Sequence, residues 1–332
     1  MVVGPAESVK PFFRRMLLLL LAAFLLLNYL AYRHARSFFF YTGGTERTPS
    51  PESLGWAEKA RVLIRGVQVP KPKMHSSPAD YELPWESISV PGRASTGLSG
   101  WLIPKPDASE LMILFHGYNS EKSGLLPEAK LFYAMGYEVL MIDFSGHGDS
   151  PGNTTTLGIR EADDVVSTLA WARKKWPGRR IYLYGHSMGG AAILRAMGTL
   201  NAKPDAVIVE SVFDTLLNAI RFRFDLLSVP SFPAAEILLY WGSRQLSVNG
   251  FRHDLRSYAR NIILPVLVSH GTADRRASLA GARDVYDALG GKKYFLTMDG
   301  AGHVNPSNMD PVLWSEQVRR FLRDVSTGTF GR

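Results

Sequence analysis

Short apolar runs alternate with longer mixed segments along the chain from Trp85 onward. The apolar runs have the length of strands, and the segments between them have the length of helices. We predict strands at residues 86–90, 98–103, 111–116, 138–143, 181–184, 206–209, 265–270 and 294–298, and helices at residues 123–135, 159–175, 188–200, 280–289 and 311–325. Strands that alternate with helices predict an α/β fold, with a mostly parallel sheet covered on both faces. The glycine-containing stretch 91–97 joins the first two strands as an antiparallel edge.

The most apolar run extends from Met16 to Tyr32 and contains no charged residue. Its 17 residues are at the short end of a bilayer span. Basic residues flank it on both sides, and residues 38–41 are aromatic, where interfacial side chains often lie. The run therefore predicts a single-pass membrane anchor within residues 1–41.

Two alternatives to an uncleaved anchor stay open. Residues 35–37 (Ala-Arg-Ser) have the small residues that a signal peptidase requires, although the arginines there disfavour cleavage. A buried helix of a soluble protein is disfavoured because the run has no polar face. Basic residues on the two sides balance in number, but Arg14 and Arg15 adjoin the run directly. They predict a cytoplasmic N-terminus and an extracytoplasmic C-terminal part of the chain.

The chain after the anchor divides into a connector and one domain. Residues 42–84 are broken by prolines and a glycine pair, as is typical of a connector. Residues 85–332 have a length that α/β enzymes commonly fold as a single domain. Within it, about 50 residues separate two predicted strands, far more than a usual connection needs. They predict a helical cap at about residues 211–262.

Composition and charge exclude several classes of function. The net charge is +8, of which +5 lies in residues 1–70 beside the apolar run. This distribution favours anionic lipid headgroups as the partner, and not nucleic acid, whose binders spread basic residues over a folded face. The absence of cysteine excludes disulfides, thiolate metal sites and a cysteine nucleophile.

A candidate nucleophile lies between a predicted strand and a predicted helix. Ser187 is the centre of the sequence GHSMG, residues 185–189. On a sharp turn between strand and helix, a serine hydroxyl projects from the sheet, and glycines two residues away on either side keep the neighbouring backbone clear. A serine that only caps the helix is the alternative.

A base and an acid follow in the order Ser, Asp, His. Asp274 comes after one late strand and His303 after the next, so both lie at the edge of the sheet that carries Ser187. Asp299 is a rival acid, but it is too close to His303 in sequence to reach the imidazole ring easily.

Two backbone amides are candidate donors to an oxyanion. The amide of Met188 adjoins the serine at a helix N-terminus, and we assign the second donor to the amide of Tyr118, in the loop after the third strand. The other histidines show no metal-site spacing such as HExxH, so no metal is predicted.

These motifs together resemble the α/β-hydrolase superfamily, in particular its membrane-linked esterase and lipase branch related to monoacylglycerol lipases and serine aminopeptidases. The resemblance covers about residues 85–322 and rests on HGYNS, DFSGHGDS, GHSMGG, HGTAD and GAGH, which begin at residues 116, 143, 185, 270 and 300. It implies an α/β-hydrolase fold with about eight strands and a helical cap, and hydrolysis without a cofactor. One departure is Ala277-Ser278, where the family often has Val-Pro.

The cap is rich in large apolar side chains, which suggest either packing of the cap or an acyl pocket. Candidate pocket residues are Tyr118, Phe213, Phe222, Phe224 and Trp241. With the anchor, they predict esters with apolar acyl groups, on small molecules or lipids, as substrates. A thioesterase, protein deacylase or peptidase using the same three residues remains open, as does a noncatalytic scaffold.

Overall fold

The structure, a computed structural model, describes residues 9–49, 53–92 and 97–329. At its centre is an eight-stranded sheet in the order β1-β2-β4-β3-β5-β6-β7-β8. The strands are β1 (Glu86–Pro91), β2 (Gly97–Ile103), β3 (Glu110–Phe115), β4 (Glu138–Ile142), β5 (Arg180–His186), β6 (Ala206–Glu210), β7 (Val266–Gly271) and β8 (Lys293–Met298). β2 pairs antiparallel with β1 and with β4, and every other pairing in the sheet is parallel.

Ten α-helices lie among the described residues. They are α1 (Val9–Phe39), α2 (Trp56–Arg65), α3 (Leu126–Ala134), α4 (Glu161–Lys175), α5 (Met188–Leu200), α6 (Leu216–Leu227), α7 (Ala234–Leu246), α8 (Leu255–Ala259), α9 (Leu279–Ala288) and α10 (Pro311–Thr327). The predicted α/β fold, with its antiparallel edge, is confirmed.

The central strands are buried on both faces because helices cover each side of the sheet. Successive side chains of a strand point to opposite faces. Ile113 of β3 therefore packs into the core beneath α4 and α5. Its neighbour Leu114 joins Phe132 of α3 and Trp314 of α10 on the other side. The uninterrupted apolar runs in the sequence reflect this two-sided burial.

The long connection after β6 forms a cap of α6, α7 and α8. The hydroxyl of Thr215 caps α6 by accepting from the amide of Asn218 at 3.1 Å. Leu216, Leu238 and Leu239 are buried and join the core beneath the cap. The apolar residues of this segment therefore serve, at least in part, to pack the cap onto the domain.

Helix α1 is longer than the predicted span and has two different halves. Residues 11–39 of the helix are long and apolar enough to cross a membrane. Its apolar side chains are exposed as far as Leu26, whereas Ala31, Ala35 and Phe39, spaced one turn apart, are buried. The prediction that the aromatics after the run lie at a membrane interface is wrong for Phe39 and Tyr41, because both are buried in the protein.

Candidate active site

Ser187 lies at the turn between β5 and α5 in a strained conformation. Its φ of 50° and ψ of −110° fall outside the regions that non-glycine residues normally occupy. The amide of Ser187 donates to the carbonyl of Glu210 at the end of β6, at 2.7 Å. This hydrogen bond from β6 thus helps to fix the conformation of the turn.

Glycines on either side of Ser187 permit this turn. A Cβ on Gly189 would lie 2.2 Å from the carbonyl oxygen of Phe115 in β3, and one on Gly185 would lie 2.6 Å from the backbone of Gly189. No side chain fits at either distance. The spacing GxSxG is therefore a steric requirement of the turn.

The structure brings His303 and Asp274 to Ser187. His303 Nε2 lies 3.1 Å from Ser187 Oγ, and His303 Nδ1 lies 2.8 Å from Asp274 Oδ2. Asp274 Oδ1 accepts from the amides of Arg276 at 2.8 Å and Ala277 at 3.0 Å. Both carboxylate oxygens of Asp274 are thus hydrogen-bonded, and one of them is directed at the imidazole ring.

The environment favours the ionised form of Asp274. Burial by itself would raise the pKa of this carboxyl, but the hydrogen bond and charge of His303 and the amides of the same loop lower it below its usual value. An ionised Asp274 accepts from Nδ1–H of His303, which leaves Nε2 as the acceptor for the hydroxyl of Ser187.

His186 adjoins this group without joining its hydrogen bonds. Its ring centroid lies 5.6 Å from that of His303. Burial lowers the pKa of His186 to about 3, and the neighbouring His303 acts in the same direction. His186 therefore stays neutral and adds no second charge beside the imidazole of His303.

The two residues predicted to donate to an oxyanion lie in segments that meet at Ser187. Met188 is the first residue of α5 and is buried. Tyr118 lies in a loop that contacts the turn, because a Cβ on Gly117 would lie 3.6 Å from Cβ of Ser187. Neither amide is among the backbone donors to other protein groups within the described part of the chain.

The loop 116–120 is held from behind by Tyr41, a residue that the sequence did not single out as part of the site. The hydroxyl of Tyr41 accepts from the amide of Asn119 at 3.3 Å and lies 2.8 Å from Nε2 of His147. Burial and the nearby His116 hold the pKa of His147 well below its ordinary value, so this ring is neutral. Its Nδ1 donates to the carbonyl of Ser145 at 3.1 Å, which leaves Nε2 to accept from Tyr41. The chain just after α1 is thus built into the edge of the site.

A buried ion pair anchors the same loop at its other end. Lys122 is fully buried, and its Nζ lies 2.5 Å from Asp143 and 3.1 Å from Asp149. The amide of Lys122 also donates to Asp143 at 2.7 Å, and Trp101 lies beneath the ammonium group. No local pattern predicts this contact, because lysine is ordinarily an exposed residue.

The five candidate pocket residues each pack against different partners. The hydroxyl of Tyr118 donates to the carbonyl of Phe38 at 2.9 Å, and its ring stacks on Tyr41. Phe213 is buried against His253, and Phe224 packs on the core. Phe222 is half-buried on α6. Trp241 faces α1 and donates to Asn28 at 3.1 Å.

A small apolar cavity of about 10 Å³, room for about one water molecule, lies between the cap and the end of α1. Its lining includes Phe39, Leu216, Leu239 and Leu246. Thr156 forms part of the wall, and the preceding Thr155 contacts the sulfur of Met188 at 3.3 Å. This space is lined by residues other than the five that the sequence suggested.

Comparisons with known proteins agree with this architecture. A family model described as serine aminopeptidase, S33, matches residues 106–213. The uncharacterised protein YqkD of Bacillus subtilis is 24% identical over 248 residues, which cover 72% of this chain and 80% of that protein. The lysophosphatidylserine lipase ABHD12 of Danio rerio is 25% identical over 196 residues, which cover 56% of this chain and 49% of that protein.

Solved structures share the fold. The esterase Pf2001 of Pyrococcus furiosus superposes with a TM-score of 0.64 at 22% identity, covering 76% of this chain and 96% of its own. A bacterial membrane phospholipase A superposes with a TM-score of 0.53 at 20% identity, covering 74% of this chain and 87% of its own. With the sheet order and the family match, these likenesses lead to one conclusion: the chain is a member of the α/β-hydrolase superfamily.

Proposed function

We propose that this hydrolase is a serine enzyme that cleaves carboxylic esters with apolar acyl groups, with Ser187 as nucleophile, His303 as base and Asp274 as the residue that orients the base. The continuous hydrogen-bonded path from Asp274 through His303 to Ser187, at 2.8 and 3.1 Å, carries the proposal. Such a path lets an alcohol lose its proton as it attacks.

The proposed reaction has two halves. Ser187 Oγ attacks the carbonyl carbon while His303 Nε2 takes its proton, and the amides of Met188 and Tyr118 stabilise the negative oxygen. His303 then gives the proton to the leaving alcohol, and the acyl group remains on Ser187. Water, deprotonated by His303, attacks the acyl carbon, and the proton returns to Ser187 as the acid leaves.

Two observations favour apolar esters as substrates. The cap is rich in large apolar side chains, some of which stay exposed, such as Phe232 and Tyr240, and one relative is a lysophosphatidylserine lipase. The aminopeptidase description of the matching family favours amide cleavage as the competing activity. We propose that small-molecule or lipid esters are the substrates and that thioesters and amides react more slowly.

Labelling by a fluorophosphonate probe tests the nucleophile. The wild type should label, and Ser187→Ala should not label and should lose kcat by about a millionfold if the three residues act as a unit. Ser211→Ala is the matched control, because Ser211 is also buried, follows a strand and has a positive φ. A wild-type chain that never labels would identify a noncatalytic scaffold.

A panel of acyl substrates tests the specificity. Hydrolysis of nitrophenyl esters should be faster for medium and long acyl chains than for acetate, because an apolar pocket gains transfer free energy with each methylene group. A steady fall in rate with chain length contradicts the proposed acyl pocket. Faster cleavage of aminoacyl amides than of any ester contradicts the proposed ester specificity.

We further propose that α1 anchors the enzyme in a membrane, with the N-terminus in the cytoplasm and the catalytic domain on the extracytoplasmic side. The helix is long and apolar enough, and its first half is exposed. Protease added to intact spheroplasts should digest the catalytic domain. If the domain survives there and is digested only after lysis, the proposed orientation is wrong.

A further inference from the structure

The second half of α1 packs along the cap helix α7 in the same direction. Nε1 of Trp241 donates to Oδ1 of Asn28 at 3.1 Å. One turn further on, Nε2 of Gln245 donates to the carbonyl of Tyr32 at 2.9 Å. The two contacts are four residues apart on each helix and follow the same order, so α1 and α7 run parallel here. The start of α7 therefore points toward the apolar N-terminal half of α1.

The loop that leads into α7 is uncharged and largely exposed, with two serines among its six residues and the exposed Asp225 three positions before it. From Leu226 to Ala235 the chain has no charged residue, and the nearest acid after it, Glu236, is paired with Arg221. The side chain of Phe232, at the tip, is 75% exposed. Since α7 begins seven residues before Trp241, the loop lies roughly 10 Å nearer the N-terminal end of α1 than the contact with Asn28.

Along α1 and α7, the exposed side chains change from apolar to charged at about the same height, near the contact between Asn28 and Trp241. Beyond the contact between Asn28 and Trp241, the exposed side chains include Arg33 and Arg36 on α1 and Arg244 on α7. Before that contact, α1 exposes leucines, such as Leu19 at 72%. Arginines above an apolar surface match the order of headgroups and acyl chains in a bilayer.

We propose that residues 228–233, the loop between α6 and α7, insert into the same bilayer as α1, with Phe232 as the inserted side chain. The inference rests on the proposed membrane anchor and extends it. The cap is then held against the lipid surface at two places, by α1 and by its own loop, so an acyl chain that leaves the bilayer meets the cap first. Tyr240, half-exposed on α7 next to Trp241, is then at the height of the interface between headgroups and acyl chains.

Single-cysteine variants test this placement, because the native chain has no cysteine. Phe232→Cys, Leu20→Cys and Ile263→Cys would each carry a nitroxide label in the full-length protein, reconstituted in phosphatidylcholine and phosphatidylglycerol vesicles. Accessibility to oxygen and to a nickel chelate distinguishes acyl chains from water. Ile263 is the matched exposed site: it is 77% exposed and precedes β7, at the sheet edge opposite Ser187.

Leu20 and Phe232 should be accessible to oxygen and protected from nickel, and Ile263 should show the reverse. If Phe232 behaves like Ile263 while Leu20 is in lipid, the loop proposal is overturned and the anchor stands. If Leu20 is also in water, the anchor itself fails, and the loop proposal fails with it.

A kinetic comparison gives a second test. Phe232→Ser should lower the hydrolysis of a long-chain ester presented in vesicles by about tenfold, since the loop loses the transfer free energy of its inserted aromatic side chain. It should leave the rate on a soluble short-chain ester unchanged, and Ile263→Ser should change neither rate. Equal losses on both substrates would overturn the proposal.

Discussion

The two amides proposed to stabilise the oxyanion are held in place by very different means. The amide of Met188 belongs to the turn after β5, which is shaped by the glycines beside Ser187 and by one hydrogen bond to Glu210. The amide of Tyr118 belongs to a loop whose supports are distant along the chain. They are Tyr41 on one side and the ion pair of Lys122 on the other.

This difference means that the two halves of the proposed site respond differently to substitution. The turn depends on the close approach of backbones, so small steric changes should disturb it. The loop depends on polar contacts with buried partners, so loss of a charge or a hydroxyl should disturb it. The proposed membrane anchor reaches this loop through Tyr41, two residues after the end of α1.

Removing the buried ammonium group should have the largest effect. Lys122→Met leaves Asp143 buried without its cation, and loss of one partner of a buried pair costs about 3–5 kcal/mol. The free energy of unfolding in urea should fall by that amount. Lys130→Met, on the exposed face of α3, is the matched control and should change stability little. An unchanged urea midpoint for Lys122→Met would mean that the loop does not depend on this pair.

Adding one methyl group at the turn after β5 should have the second-largest effect. In Gly189→Ala, Cβ lies 2.2 Å from the carbonyl oxygen of Phe115, so the turn has to move by about 1 Å. A displacement of that size lowers catalytic rates by about a hundredfold, and kcat/KM should show it. Gly43→Ala is the control, because no atom lies within 4 Å of a Cβ there. Activity within twofold of wild type would contradict the steric account.

The pH dependence of stability tests the role of Glu210, whose backbone carbonyl accepts from the amide of Ser187. Burial raises the pKa of Glu210 to about 8, although hydrogen bonds from Trp314 and Tyr184 oppose the shift. The folded protein therefore binds a proton that the unfolded chain releases near pH 4.5. By linkage, this contribution to stability is complete at low pH and is lost as the pH rises toward 8.

The free energy of unfolding should fall by about 2–4 kcal/mol between pH 5 and 8, and Glu210→Gln should remove most of that slope. The glutamine amide can still accept from Trp314 and donate to Tyr184. Glu316→Gln, an exposed carboxylate on α10, should leave the slope as in the wild type. A wild-type slope in Glu210→Gln would assign the pH dependence to another group.

The parts of the fold and site that could be predicted are those that depend on neighbours in sequence. Apolar runs identified the strands because both faces of the sheet are covered. The order of strands and loops then brought Ser187, Asp274 and His303 to one edge, and the structure places their side chains within hydrogen-bonding distance. Short motifs and the topology of a parallel sheet contain this information.

The parts that could not be predicted depend on where distant segments meet. Tyr41 follows an apolar run, so sequence favoured an interfacial position, but the chain turns into the domain there. Trp241 was predicted to line a pocket, and its indole instead contacts Asn28 across 213 positions of sequence. Neither contact has a local signal, because each requires the packing of α1 on the cap to be known first.

The hydroxyl of Tyr41 tests the coupling between the anchor and the loop, and its loss should have the smallest effect. Tyr41→Phe keeps the ring but leaves the amide of Asn119 without its acceptor and His147 without its donor. The neighbouring amide of Tyr118 is then less firmly held, so kcat should fall by about tenfold, less than the hundredfold for loss of a donor, while KM stays the same. Tyr32→Phe, on the exposed side of α1, should not change kcat. If Tyr41→Phe raises KM and spares kcat, Tyr41 supports substrate binding, and the oxyanion loop does not depend on the anchor.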